Sequence, residues 1–251
     1  MRAVHRVFLA AGYYSLVLLW TGILGVISPV MYCWFRWARV MEEGRAVREI
    51  VWYYGRGWAK IFTTLTPTVF AGTERDVPLP CIFVANHQSF FDAYFMGALC
   101  FPNVVFIVRS WPFRIPFYGF FMRKAGYIDA ETLNAADLVA AGKKALQSGA
   151  SIVVFPEGTR SYTREMGRFR SGAFVLALQT GVPIVPICLD GTGDFLRRGD
   201  FLPRPAKVRV TILAPLYPEE YAPLGEGAHR QLRRDTKERL RNALERSAPG
   251  G

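Results

Sequence analysis

A run of 29 residues without a charged side chain, from 7 to 35, does most to limit what this chain can fold into. About 20 apolar residues cross the hydrocarbon core of a bilayer. Arg2 and Arg6 precede the run, as in a secretory signal. Its apolar part is too long for one, however, and no small-x-small cleavage site closes it. The run therefore reads as a retained membrane segment. As a straight helix it would be about 44 Å long. Gly22, Gly25 and Ser28-Pro29 weaken its middle, and Arg36 and Arg39 follow it. Cationic residues at both ends favour the cytoplasmic side for both. A re-entrant or interfacial helical hairpin satisfies this, and a single tilted span is the alternative. Residues 50–65 mix Trp52, Tyr53, Tyr54 and Trp58 with Arg56 and Lys60. That mixture suits the headgroup level or an amphipathic helix packed on a globular domain.

The 251-residue chain divides by pattern into a membrane-associated helical segment, 1–65, and an α/β domain, 66–251. Short apolar runs predict strands at 68–71, 81–85, 104–108, 151–155, 184–188 and 207–213. Helices are predicted at 90–100, 116–124, 134–148, 172–180 and 228–246, the last on a stripe of Leu232, Thr236, Leu240 and Leu244. Strand–helix alternation with near-continuous apolar strands predicts a mixed, largely parallel sheet covered by helices.

The formal charge of +11 favours anionic partners. No zinc spacing, RNA-binding aromatic signature or basic-region heptad points to nucleic acid. Both nucleotide-binding glycine loops and the G-x-S-x-G elbow are absent. Cys33, Cys81, Cys100 and Cys188 are widely spaced and read as buried reduced thiols, with no metal site.

Two strand exits carry chemistry. The first predicted run, 81–85, leads into N-H-Q-S-F-F-D, residues 86–92. Open α/β folds bind ligands beyond such strand ends. His87 and Asp92 have the residue types of a general base and its orienting carboxylate. The same Ser89-x-x-Asp92 spacing also fits a helix capping box. The second run, 151–155, leads into F-P-E-G-T-R-S, residues 155–161. Arg160 offers a planar fork to phosphate oxygens beside Thr159 and Ser161, Gly158 permits close backbone approach, and Glu157 has an acceptor for a substrate hydroxyl. P-E-G-T is equally good turn chemistry. Arg109 leaves a third strand end and is a further candidate phosphate ligand.

N-H-x-S-x-x-D, an arginine followed by P-x-x-G, F-P-E-G-T-R-S and V-P-I-V-P occur in that order over roughly residues 65–215. This series resembles the glycerophospholipid acyltransferase family, most of all its 1-acylglycerol-3-phosphate members. The resemblance implies transfer of a fatty acyl group from acyl-CoA or acyl carrier protein to a glycerol hydroxyl of a lysophospholipid. It implies His87 as base with Asp92 as partner, and Arg109, Glu157, Gly158, Thr159, Arg160 and Ser161 as acceptor and phosphate ligands. It implies no metal or cofactor, and membrane lipid as partner. Richness in Gly, Ala, Arg and Pro points to a bacterial origin, and so to an inner-membrane enzyme with its catalytic domain on the cytoplasmic side. In one place the chain departs from the pattern: Gly126-Tyr127-Ile128 continues as Asp129-Ala130, where many members carry an arginine. Arg123 and Lys124 are candidate substitutes. Another lysolipid acceptor, such as a lyso-ornithine lipid, therefore stays open. So do a thioester hydrolase and a non-catalytic membrane-binding protein.

Overall fold

The computed structural model describes residues 2–72, 74–161 and 163–247. Helix α1 (Arg2–Cys33) passes unbroken through Gly22, Gly25 and Pro29 and continues as a π-helical turn, Trp34–Ala38. The bend expected in this run is absent. Pro29 has no N–H to give the Gly25 carbonyl, but the Ser28 hydroxyl donates to that oxygen at 3.1 Å. The chain instead reverses at 39–42, and α2 (Glu43–Leu65) packs back along α1.

That helical pair is built into the domain. Trp20 Nε1 donates to the Tyr54 carbonyl at 3.1 Å. A Cβ on Gly57 would lie 2.1 Å from the Trp20 ring, so only glycine admits the indole there. Tyr13, Val17, Trp58 and Phe62 share one core with Phe91, Phe95 and Phe195. Residues 1–65 and the α/β region are thus packed on each other. The opposite side of α1 and its π-helical turn leave Leu18, Val26, Val30 and Trp37 exposed.

Among the described residues, seven strands form one sheet in the order β1-β7-β6-β2-β5-β3-β4. They are β1 (Thr68–Ala71), β2 (Ile82–Ala85), β3 (Val104–Val108), β4 (Ile128–Asp129), β5 (Ser151–Val154), β6 (Ile184–Asp190) and β7 (Val208–Ile212). Every pairing is parallel except β6 with β7. The sheet is mixed and largely parallel, as the strand pattern predicts. β2, β5 and β6 are buried along their whole length, because helices cover both faces. On one face lie α1, α2 and α3 (Asp92–Met96). On the other lie α5 (Ala135–Gln147), α6 (Gly172–Thr180) and α8 (Ala228–Arg246), the last seated by Leu232, Thr236, Leu240 and Leu244. Helix α4 (Tyr118–Lys124) borders the first face.

Three local differences from the sequence expectation have simple causes. β4 and α7 (Thr192–Phe195) are too short to show periodicity. The helix expected over 90–100 stops at Met96, where Gly97 meets the Gly55 backbone so closely that a Cβ would lie 2.8 Å from it. Cys81 and Cys188 are buried, and burial pushes both thiols up to about 12. Cys100, expected inside, is exposed, because the chain has already left α3 there.

Candidate active site

β2 and β5 are parallel neighbours, with Ile82 beside Ile152 and Val84 beside Val154. Their exits, and so the two motif loops, lie side by side at one edge of the sheet. Asn86 locks the first exit: its amide donates to the Leu189 carbonyl at 2.7 Å and its oxygen accepts the Leu189 N–H at 2.8 Å. This leaves His87 at the edge with its backbone fixed.

His87 Nδ1 lies 2.7 Å from Asp92 Oδ2. Asp92 is fully buried, whereas the His87 side chain is 21% exposed. The same Oδ2 accepts the N–H groups of Gln88 at 2.7 Å and Ser89 at 2.9 Å. The helix begins at Asp92 with Phe91 as its N-cap, so these bonds tie the loop and do not form the capping box that the spacing allows. The structural and chemical roles of Asp92 still coincide, since one oxygen both ties the loop and orients the imidazole. With a carboxylate oxygen at Nδ1, that nitrogen carries the proton and Nε2 keeps the lone pair of a base. The ring is steadied by stacking on Phe155, centroids 4.3 Å apart.

The second loop holds the first. Glu157 Oε1 accepts the His87 N–H at 2.9 Å, Oε2 accepts the Gly167 N–H at 2.7 Å, and the Ser161 N–H donates to the His87 carbonyl at 2.8 Å. Burial pushes the Glu157 carboxyl above the usual carboxylate range, against the opposing effect of the two N–H groups. Glu157 was expected to meet a substrate hydroxyl, but both its oxygens serve the backbone and it is not on the cavity wall. Ser161 is likewise off the wall, its hydroxyl donating to the Glu165 carbonyl. Gly158, with φ +69°, and Thr159 and Arg160 do line the cavity.

That cavity holds about 1320 Å³ and includes His87 and Arg160 in its wall. It exceeds the roughly 300–1,000 Å³ of ordinary single-ligand sites. It straddles the sheet edge: Phe83, Tyr94 and Phe106 line it on one face, and Leu138, Val139 and Ala173 on the other. On the first face Tyr118 Oη lies 2.6 Å from Tyr54 Oη and 3.0 Å from Tyr94 Oη. Burial and its two phenol neighbours push the Tyr118 hydroxyl far above the usual range. It therefore stays a neutral donor.

Arg109 reaches the wall but is paired, Nε to Glu131 at 2.6 Å, while Glu131 also accepts the Ser110 N–H. These two bonds hold the Glu131 carboxyl below the usual range, with the Ser110 bond the larger influence. Neither expected substitute for the departing arginine stands in the cavity. Arg123 donates to the Phe113 carbonyl at 3.0 Å, and Lys124 pairs with Glu43 at 2.6 Å.

Sequence reasoning missed four cationic residues of the wall, Arg48, Lys143, Arg170 and Arg198. Arg198 donates to the Arg160 carbonyl at 2.9 Å. Arg170 lies over the second motif loop: a Cβ on Gly158 would come within 2.9 Å of its Nε. The basic R-F-R-S run before α6 was the available signal.

A family model described as Acyltransferase matches residues 69–190. A chloroplastic 1-acyl-sn-glycerol-3-phosphate acyltransferase of Brassica napus is 39% identical over 142 residues, 55% of this chain and 41% of that one. A Pseudomonas aeruginosa protein of the same name is 27% identical over 178 residues, 67% of this chain and 68% of its own. The chain spans about two fifths of the length of the first curated relatives it matches. The crystal structure of a 1-acyl-sn-glycerophosphate (LPA) acyltransferase from Thermotoga maritima matches the full length of both chains with a TM-score of 0.78. At 23% identity that likeness is one of fold. Both motif loops lie inside the segment that matches the acyltransferase family model.

Proposed function

We propose that this protein transfers a fatty acyl group from a thioester donor, acyl-CoA or acyl carrier protein, to the free glycerol hydroxyl of lysophosphatidate, giving phosphatidate. The single observation that carries this reading is the meeting of His87, backed by Asp92, with Arg160 on one apolar cavity. An apolar wall suits two lipid substrates. A guanidinium suits a phosphate.

The chemistry follows from the groups in place. His87 Nε2 takes the proton of the attacking hydroxyl as its oxygen bonds to the thioester carbon. Asp92 stabilises the imidazolium that forms. The tetrahedral intermediate collapses by breaking the C–S bond, and the imidazolium returns the proton to the leaving thiolate. Positioned proton transfer of this kind contributes about 10² to 10⁴ in rate. A thioester is already activated, so no covalent enzyme nucleophile is needed.

The exposed apolar side of α1 and the exposed Trp111, Ile115, Phe117 and Phe120 support seating at a bilayer surface. The span Ala10–Ala38 is long and apolar enough to cross one, with a mean hydropathy of 2.0. A lipid acceptor then enters the cavity without leaving its membrane, avoiding about 0.8 kcal/mol per CH₂ of extraction. We place the protein at a bacterial inner membrane, with its α/β region facing the cytoplasm.

Asp129 and Glu131 favour a second reading, another lysolipid acceptor. They set two carboxylates, Glu131 on Arg109 and Asp129 on the Ser110 hydroxyl, where the family pattern expects an arginine. Purified protein in liposomes, given labelled acyl-CoA and a panel of lysolipids, tests both. Phosphatidate as main product supports the first reading, acylation of another lysolipid the second. Free fatty acid released without acceptor dependence would instead mark a hydrolase.

A further inference from the structure

A smaller recess of about 510 Å³ adjoins the cavity on the α6–α8 side. Arg168, Arg170 and Arg233 line it, and Arg170 and Ser171 line the cavity as well, so the two spaces meet there. Arg233 is held by a bond from its Nη1 to Ser171 Oγ at 2.7 Å. The side chains of Arg168 and Arg170 have no hydrogen bond or ion pair among the described residues. Lys237 adds a fourth cation, 5.6 Å above the ring of Phe169 in the recess wall. Among the described residues, the carboxylate of the recess wall is Glu157, and backbone N–H groups take both its oxygens.

Several like charges around one concave space repel each other until an anion enters. Guanidinium groups fit phosphate oxygens in particular. This group also stands apart from the cations of the other rim. Phe169 packs in the core under α6 and α8, whereas Leu196, beside Arg198, packs in the core under α1 and α2. Arg160 and Arg198 line the main cavity and not the recess, whereas Arg168 and Arg233 line the recess and not the main cavity.

We propose that the Arg168–Arg170–Arg233 recess binds the phosphate groups on the thiol-bearing arm of the acyl donor. The site is distinct from the acceptor-phosphate position at Arg160. The proposal rests on the acyltransferase reading and deepens it. The donor's phosphates sit in the recess, its arm passes Arg170 and Ser171, and its thioester reaches His87. Acyl-CoA and acyl carrier protein both bring such a phosphate.

The test compares three donors with the full-length protein: acyl-CoA, acyl carrier protein, and the phosphate-free S-acyl-N-acetylcysteamine. Arg168→Gln is expected to raise the KM of a phosphate-bearing donor roughly tenfold and to change kcat/KM for the phosphate-free thioester by less than about twofold. Arg168→Lys should restore part of the loss. A loss confined to acyl-CoA or to acyl carrier protein supports the site and identifies its source. Equal losses on all donors overturn the proposal, as does a rise in acceptor KM alone. Should the wild type transfer from none of these donors, the functional reading fails. The recess is then judged by titration with CoA, and affinity equal in wild type and Arg168→Gln rejects it.

Discussion

Glu157 Oε1 accepts the backbone N–H of His87 at 2.9 Å, so a side chain of the second motif fixes the peptide of the first. Its other oxygen ties the same loop to Gly167. In the proposed mechanism the carboxylate therefore acts through His87. An amide cannot accept at both ends, so Glu157→Gln leaves one buried N–H facing a donor, a cost of about 1–3 kcal/mol. We expect a lower kcat with an unchanged acceptor KM. A selective rise in acceptor KM in steady-state assays would return Glu157 to the substrate.

The same residue carries a pH signature. Burial raises its folded-state pKa above the ordinary 4.5. The stabilisation linked to its proton is complete below the unfolded value and is lost as pH rises through the folded one. The stability difference, wild type minus Glu157→Gln, is thus expected to shrink as pH climbs from about 4.5 through that raised value. Thermal melts in detergent across this range check the sign; a difference growing with pH contradicts it.

His87→Ala should lower kcat by about 10² to 10⁴ and leave the melting temperature near wild type. Asp92→Ala should do both kinds of damage. It strips the acceptor from the imidazole and from the N–H groups of Gln88 and Ser89 inside a fully buried site. Paired melting and turnover measurements separate the two. A stable but inactive Asp92→Ala would mean that the carboxylate does not hold the loop.

Arg160→Ala is expected to raise the acceptor KM by roughly ten- to a hundredfold, in line with about 1.5–3 kcal/mol for hydrogen bonds to a charged group. The thioester KM should stay near its starting value. The reverse pattern would move Arg160 to the donor.

Gly57→Ala forces a methyl group into the Trp20 ring, whereas Gly12→Ala meets open space. The first should cost about 1–3 kcal/mol by prying α1 from α2. The second should be neutral or mildly stabilising, because alanine favours helix. Equal melting temperatures would show that α1 does not pack on α2 in this way.

Much of this protein was set by the sequence alone. Near-continuous apolar runs between helical stretches determine a sheet covered on both faces, since nothing else buries β2, β5 and β6 completely. The order of the motifs likewise fixes that His87 and Arg160 leave strands at the same kind of end. The tertiary structure decided what those loops do to each other. Only the parallel pairing of β2 with β5 brings Glu157 under the His87 peptide, 70 residues away. Only the covering by α6 and α8 brings Arg233 to Arg168 and Arg170, because charges far apart in sequence carry no mark of being neighbours. The course of α1 was also illegible: Pro29 signals a break, and one hydroxyl at Ser28 removes the reason for it. Periodicity records which face of an element is buried, but not which partner meets it.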